Sequence, residues 1–355
     1  MQGTIADTSK AKPAKKATGT KTINLALQGG GSHGSFTWGV LDRLLEEERL
    51  EVEGITATSA GAMNASVYAY GFALGGREGA RTKLAEFWKR VSDAAAKGPL
   101  QPSWWDKKTK NWALENSPAF LMMDIVSRLM SPYEFNPTNA NPLRDVLLES
   151  VDFEVLRNTD SPLKLYLSAT NVRTGKVKVF DKKEMSVDAV LASACLPFMF
   201  QAVEIDGEAY WDGGYMGNPA LFPLIYHCES SDVAIVHINP LERPELPKTA
   251  RDILNRINEI SFNSSLMREM RAISFVTSLI ESGKLDGAGM KRLYVHSISG
   301  EPELIKVGAT SKLNADWEFL SHLFQAGRAY ADKWLEQNWD HLNVRSSVDI
   351  HDQYL

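Results

Sequence analysis

The chain has 355 residues, 44% of them hydrophobic and 23% charged, with a formal net charge of -5. That length can bury one large α/β core or two smaller ones, and the mild acidity leaves no electrostatic footprint for nucleic acid. Two cysteines, Cys195 and Cys228, give neither a metal-ligand spacing nor a disulfide framework, and no apolar run reaches the roughly 18–20 residues that a bilayer span needs.

Residues 1–21 carry Lys10, Lys12, Lys15, Lys16 and Lys21 against one acid, Asp7, and show no apolar periodicity. Such a segment cannot bury a core, so a disordered basic tail is expected. It has no apolar stretch of the secretory kind. Its two readings are a solvated tail and a weak electrostatic dock to an anionic surface.

A strand is predicted over residues 23–28, followed at once by Gly29-Gly30-Gly31-Ser32-His33-Gly34 and a helix over 35–48, with Phe36, Val40, Leu41, Leu44 and Leu45 at helical spacing. A glycine-rich turn between strand and helix lets backbone N–H groups converge on an anion, either a phosphate or the oxyanion of acyl transfer. Gly29, Gly31 and Gly34 also satisfy the dinucleotide spacing G-x-G-x-x-G. That reading calls for an acid about 20 positions on, at the end of the second strand. Glu51 and Glu53 precede the second strand, predicted over 54–58, instead of ending it. The strand runs into Ala57-Thr58-Ser59-Ala60-Gly61 and a helical stretch over 60–75. A serine crowded by small residues at a sharp strand-to-helix turn reads as a nucleophile elbow, with the helix dipole favouring negative charge at its oxygen. Taken alone, Ser59 reads first as the N-cap of an ordinary helix.

A second helix is predicted over 79–91. Residues 98–141 then form a Pro-broken stretch rich in aromatics and methionine, including Trp104, Trp105, Trp112, Phe120, Met122 and Met123. This is either a cap that receives an acyl chain or a surface excursion pinned by buried tryptophans. Strands are predicted over 163–169 and 176–180, a helix over 187–194 and a hairpin over 202–210 turning at Asp206-Gly207. The hairpin runs into Asp212-Gly213-Gly214, a carboxylate on a glycine-flanked loop that taken alone is a turn-former. Strands over 232–239 and 291–296 and helices over 249–282 and 316–338 complete the pattern. Alternating strands and helices predict an α/β fold, read as one domain over residues 22–345 with a C-terminal tail over 346–355.

The glycine loop, the serine and the Asp-Gly-Gly, in that order, resemble the patatin-like phospholipases, whose pattern is a glycine-rich oxyanion loop, a G-x-S-x-G serine and a distant D-G-G or D-G-A. The stretch from Ser193 to Phe200 and the hairpin around Ala169-Thr170-Asn171 also resemble that family, over about residues 22–240. Two positions depart from it: Ala57 replaces the first elbow glycine, and His33 stands where a basic residue is usual. The resemblance implies a three-layer α/β/α fold around a central mostly parallel sheet. It implies a Ser59–Asp212 dyad in which the aspartate takes the serine proton directly. Gly29, Gly30, Gly31 and Ser32 would form the oxyanion loop, framed by the motif residues Ala57, Gly61, His33, Gly34, Gly213 and Gly214, with no metal or cofactor. A free aspartate, with a pKa of about 4, is a weak base, so burial has to raise it. The rival arrangement is a triad using His227, His237, His296 or His322, of which His237 ends a strand.

Two functions are consistent with these features. One is a serine hydrolase of lipid acyl esters, expected in the cytoplasm with peripheral contact at a membrane. The other is a silent lipid- or protein-binding relative with the same fold. The intact serine, aspartate and triple glycine favour the first.

Overall fold

The computed structural model describes residues 19–284 and 290–355. The expected basic tail therefore lies, apart from its last three residues, outside the described residues. Among the described residues eight strands form one sheet: β1 (Lys21–Leu27), β2 (Leu50–Ala57), β3 (Lys164–Asn171), β4 (Val177–Asp181), β5 (Val203–Ile205), β6 (Glu208–Asp212), β7 (Asp232–His237) and β8 (Tyr294–Ser299). Their order is β5-β6-β3-β2-β1-β7-β8, with β4 also pairing β3. The five strands from β3 to β8 along this order pair in parallel, while β4, β5 and β6 are antiparallel additions at one side. This is the expected α/β architecture with a mostly parallel central sheet. Parallel strands covered by helices on both faces read as continuous apolar runs. Accordingly Leu25, Leu27, Ile55, Ala57, Val233, Ile235 and Val236 are all buried.

Helix α1 (Gly34–Glu46) springs from the glycine loop and α2 (Ala60–Ala96) from the elbow. The two predicted helices over 60–75 and 79–91 are the arms of α2, which breaks at Gly75 and Gly76, the latter with φ +61°. Helix α1 lies against the helix Trp317–Asn338 with backbones nearly touching. A Cβ on Gly39 would strike the carbonyl of Phe324, and one on Gly327 would strike that of Phe36. Only glycine allows so close a crossing.

The hairpin turn at Asp206-Gly207 has φ +51° and +79°, the two positive angles of the tight turn its sequence predicts. Other expectations shift. The strand predicted over 291–296 pairs from Tyr294 onward, and Lys291 sends its ammonium to the carbonyls of Cys228 and Ser230. About half of the Pro-broken stretch over 98–141 is helical, with Pro118 and Pro132 at first helical positions, where a missing N–H costs nothing. Residues 346–355 do not trail as a tail. They pair with β8 through Ser346 and Ser347 and end in a short helix whose Tyr354 is buried against His237, its hydroxyl 2.7 Å from Nε2.

Candidate active site

The loops that leave the carboxyl ends of β1, β2 and β7 converge with the end of β6, the place where open parallel sheets gather ligand-binding loops. Ser59 sits between β2 and α2 at φ 55° and ψ -123°. This backbone region strains any residue with a Cβ. It is held there by its N–H, which donates to Ser193 Oγ at 2.9 Å, and by its carbonyl, which accepts from Met63 N at 3.1 Å. The crowding accounts for the small neighbours. A Cβ on Gly61 would collide with the carbonyl of Leu27, and one on Gly29 would come within 2.6 Å of Ser59 Cβ. Ala57, by contrast, is an ordinary buried strand residue paired with Leu27 and Leu167. The close approach falls on Gly61, so the methyl at position 57 is accommodated.

Asp212 ends β6 opposite Ala169 and is fully buried. Four contacts fix it: its N–H donates to the Cys195 carbonyl at 2.8 Å, its carbonyl accepts from Thr170 Oγ1 at 2.8 Å, Oδ1 accepts from Gly214 N at 2.7 Å, and β6 pairs with β3. Gly213 is required because a Cβ would run into the Ser168 carbonyl. Burial pushes the carboxyl up to about 7, against the Gly214 N–H and the Ser59 hydroxyl, which both hold it down. Oδ2 has no hydrogen-bond partner among the described residues. A buried carboxylate oxygen without a partner beside a serine hydroxyl has the capacity to accept a proton.

The glycine loop divides into two functions. The Gly29 N–H donates to Asn218 Oδ1 at 2.7 Å, so this residue anchors the loop and is not a free donor, a correction to its expected place among the oxyanion groups. Its carbonyl accepts from Asn239 Nδ2 at 2.6 Å. The N–H groups of Gly30 and Gly31 have no protein partner among the described residues. Gly31 has φ +59°, and a Cβ there would meet the Lys312 carbonyl. Ser32 lines the adjoining cavity, and its carbonyl accepts from Ser35 Oγ. Gly34 packs on Ala60, where a Cβ would come within 2.8 Å of the alanine methyl. His33 is buried, with Nε2 2.7 Å from Ser311 Oγ, and burial lowers its pKa to about 3, with the Lys312 ammonium adding to the effect. It is neutral at physiological pH and brings no charge to the loop.

None of the four candidate histidines bonds to Ser59 or Asp212. His237 meets Tyr354, and burial lowers its pKa to about 4. His296 lies between Asp232 and Ser347, His322 meets Glu303, and His227 stacks on Tyr166. Glu53, weighed for a ribose, sits at the opposite end of the sheet and accepts from Lys164 and the N–H groups of Glu229 and Ser230. Among the described residues no three His, Cys, Asp or Glu side chains gather as a metal site, and no helix is long and apolar enough to cross a membrane.

Ser59, Gly31 and Ser32 open onto a cavity of about 450 Å³ walled by apolar side chains, among them Met63, Phe87, Trp88, Met123, Leu196 and Phe200. A larger groove of about 910 Å³ lies at the amino ends of the strands and contains neither Ser59 nor Asp212. Asn218, Asn239 and Lys312 escape the sequence reading, as does the role of Ser193 in holding the elbow. Each reaches the site from more than a hundred positions away or from outside every motif, through contacts with the elbow, the glycine loop or one another.

Among solved structures the chain is similar to VipD from Legionella pneumophila, with a TM-score of 0.42 and 14% identity, over 91% of this chain and 68% of that one. It is also similar to a chain of the complex of full-length SpcU with full-length ExoU from Pseudomonas aeruginosa, with a TM-score of 0.32 and 13% identity, over 89% of this chain and 53% of that one. No curated protein sequence matches. The model of the patatin-like phospholipase family matches residues 25–225. The chain belongs to the patatin-like phospholipase family of lipid hydrolases.

Proposed function

We propose that this chain is a serine carboxylic ester hydrolase of the phospholipase A type, with Ser59 as nucleophile and Asp212 as its base. The observation that carries the reading is the strained Ser59 facing the unpartnered, buried carboxylate oxygen of Asp212 at the end of an apolar cavity. With a pKa of about 7, Asp212 is a far better base than an exposed aspartate and is still ionised in good part at neutral pH. It takes the Ser59 proton as Oγ attacks the ester carbonyl. The negative oxygen of the tetrahedral intermediate forms beside the free N–H groups of Gly30 and Gly31. Collapse expels the alcohol, which recovers the proton from Asp212. A water then repeats the sequence on the acyl-enzyme, and Asp212 again serves as base.

The cavity volume lies within the range of pockets that enclose most of a small ligand, and its apolar wall suits an acyl chain. The stretch over 98–141 acts as its cap. Ala119 and Met123 line the cavity, while Leu121, Met122, Ile125 and Leu129 on the same helix are exposed. That outer face supports peripheral contact with the lipid surface that supplies the substrate. A fluorophosphonate probe should label Ser59, and Ser59→Ala should abolish both labelling and hydrolysis of p-nitrophenyl butyrate in a folded protein. A folded wild-type chain that neither labels nor turns over would be the silent relative. Cleavage of soluble esters but of no phospholipid in micelles would leave the esterase and remove the phospholipase.

A further inference from the structure

Among the described residues that line the cavity, Lys312 is the one with a charged side chain, and it lies far outside every motif. It belongs to the short 3-10 segment Ala309–Leu313. Two contacts press this segment on the glycine loop: Ser311 Oγ on His33 Nε2, and the Lys312 carbonyl beneath Gly31. The Lys312 ammonium donates to Asn239 Oδ1 at 2.8 Å. The other end of the same amide, Nδ2, donates to the Gly29 carbonyl at 2.6 Å. That carbonyl and the Gly30 N–H belong to one peptide unit, and this N–H is free to meet an anion.

We propose that Lys312 and Asn239 form a relay that charges the oxyanion donor from behind. The ammonium polarises the Asn239 amide, the amide polarises the Gly29–Gly30 peptide, and the Gly30 N–H donates more strongly to the negative oxygen of the ester under attack. Hydrogen bonds linked head to tail in a low dielectric strengthen one another, and a charged donor at the head of the chain strengthens it most. Both residues are positioning residues, since they act on the substrate through the Gly30 peptide. The relay supplies the positive field that the neutral His33 cannot.

The charges around Lys312 fit this role. Glu259, on the helix Ala250–Glu281, faces it but is already engaged by Arg243 and Arg256. Burial lowers the Lys312 pKa to about 8, Glu259 working against the shift and Arg243 with it. The relay should therefore switch off as pH rises past neutrality, giving activity a basic limb in addition to the acidic limb of Asp212.

The proposal rests on Ser59 and Asp212 as the reacting pair, so fluorophosphonate labelling of wild-type Ser59 comes first. Absence of that labelling overturns the site and the relay together. Given labelling, kcat and KM on p-nitrophenyl butyrate, a neutral ester, are measured from about pH 6 to about pH 10. Lys312→Met should lower kcat about tenfold, leave KM within about twofold and erase the basic limb. Lys312→Arg should keep kcat and move the limb to higher pH. Asn239→Leu should match Lys312→Met, and the double variant should fall no further. Thermal melting of each variant separates these effects from loss of fold. Unchanged kcat in Lys312→Met, or an unmoved basic limb in Lys312→Arg, overturns the relay. A raised KM for phosphatidylcholine micelles with normal kcat on the neutral ester also overturns it, in favour of a headgroup contact.

Discussion

Two aspartates are buried at opposite ends of the same sheet, and they are treated differently. Asp232, at the start of β7, has both oxygens occupied. Oδ1 accepts from Asn343 N and meets His296 Nε2, each at 2.8 Å, and Oδ2 accepts from Asn343 Nδ2 at 2.9 Å. Asp212, at the end of β6, has one oxygen held by Gly214 N and the other left without a partner among the described residues. The amino end of the sheet uses its polar groups to close the fold, since Asn343 and His296 tie the C-terminal segment to the strands. The carboxyl end leaves a carboxylate and two backbone N–H groups open beside a serine in a strained backbone. A polar group left unsatisfied in a protein interior costs stability, and Asp212 Oδ2 is such a group at the place where chemistry is proposed.

Variants at the two ends should separate these roles. The largest effect is on catalysis, where Ser59→Ala should lower hydrolysis of a soluble ester by about a thousandfold or more with the fold intact. Retained turnover in the folded variant would break the assignment. Asp212→Asn should lower kcat by about a hundredfold or more, because an amide cannot take the proton. It should also change stability in the opposite direction to activity. The folded carboxyl titrates at about 7 against an ordinary value of 3.8. The native state therefore holds a proton that the unfolded chain has already lost, and wild-type stability falls as pH rises through that window, by up to a few kcal/mol. Asp212→Asn lacks this loss and should melt higher than wild type near pH 8. Equal melting temperatures there would mean that the carboxyl is not destabilised by burial.

At the other end, Asp232→Ala should cost about 3 kcal/mol by stranding His296 and the Asn343 groups, while the folded fraction still labels at Ser59 at the wild-type rate. A smaller effect tests the strain. Ser59→Gly should be more stable than Ser59→Ala by about 1 kcal/mol, as glycine accepts φ 55° without penalty. The smallest effect is expected on activity from His237→Ala, which removes the bond to Tyr354 and should leave kcat within about twofold. A loss comparable with that of Asp212→Asn would restore the triad.

The legible part of the site comes from local crowding. Gly61, Gly29 and Gly213 are small because a backbone carbonyl or the serine itself stands where a Cβ would go. Such constraints write themselves into short motifs, and the parallel strands do the same through unbroken apolar runs. The support behind the motif leaves no such trace. Asn218 and Asn239 reach the glycine loop across 189 and 210 positions, and an asparagine in a loop looks the same whether it holds a catalytic peptide or a turn. The C-terminal segment hides its role for a similar reason. Tyr354 lies in a short polar stretch without periodicity, and only the three-dimensional position of His237 makes it part of the core. The helices over 98–141 are obscured because proline starts a helix as readily as it ends one.

The close backbone crossing between Gly39 and Gly327 bears on where this chain can be cut. The family match ends at residue 225, yet the helix that carries Gly327 is the surface on which α1 lies, and α1 begins at the glycine loop. An excised fragment ending at the family boundary would keep Ser59, Asp212 and all three glycines, but it would lose β7, β8 and the partner of α1. A unit that keeps these contacts is therefore larger than the recognisable motif region, and expression boundaries should take in the C-terminal segment through Tyr354, which bonds to His237.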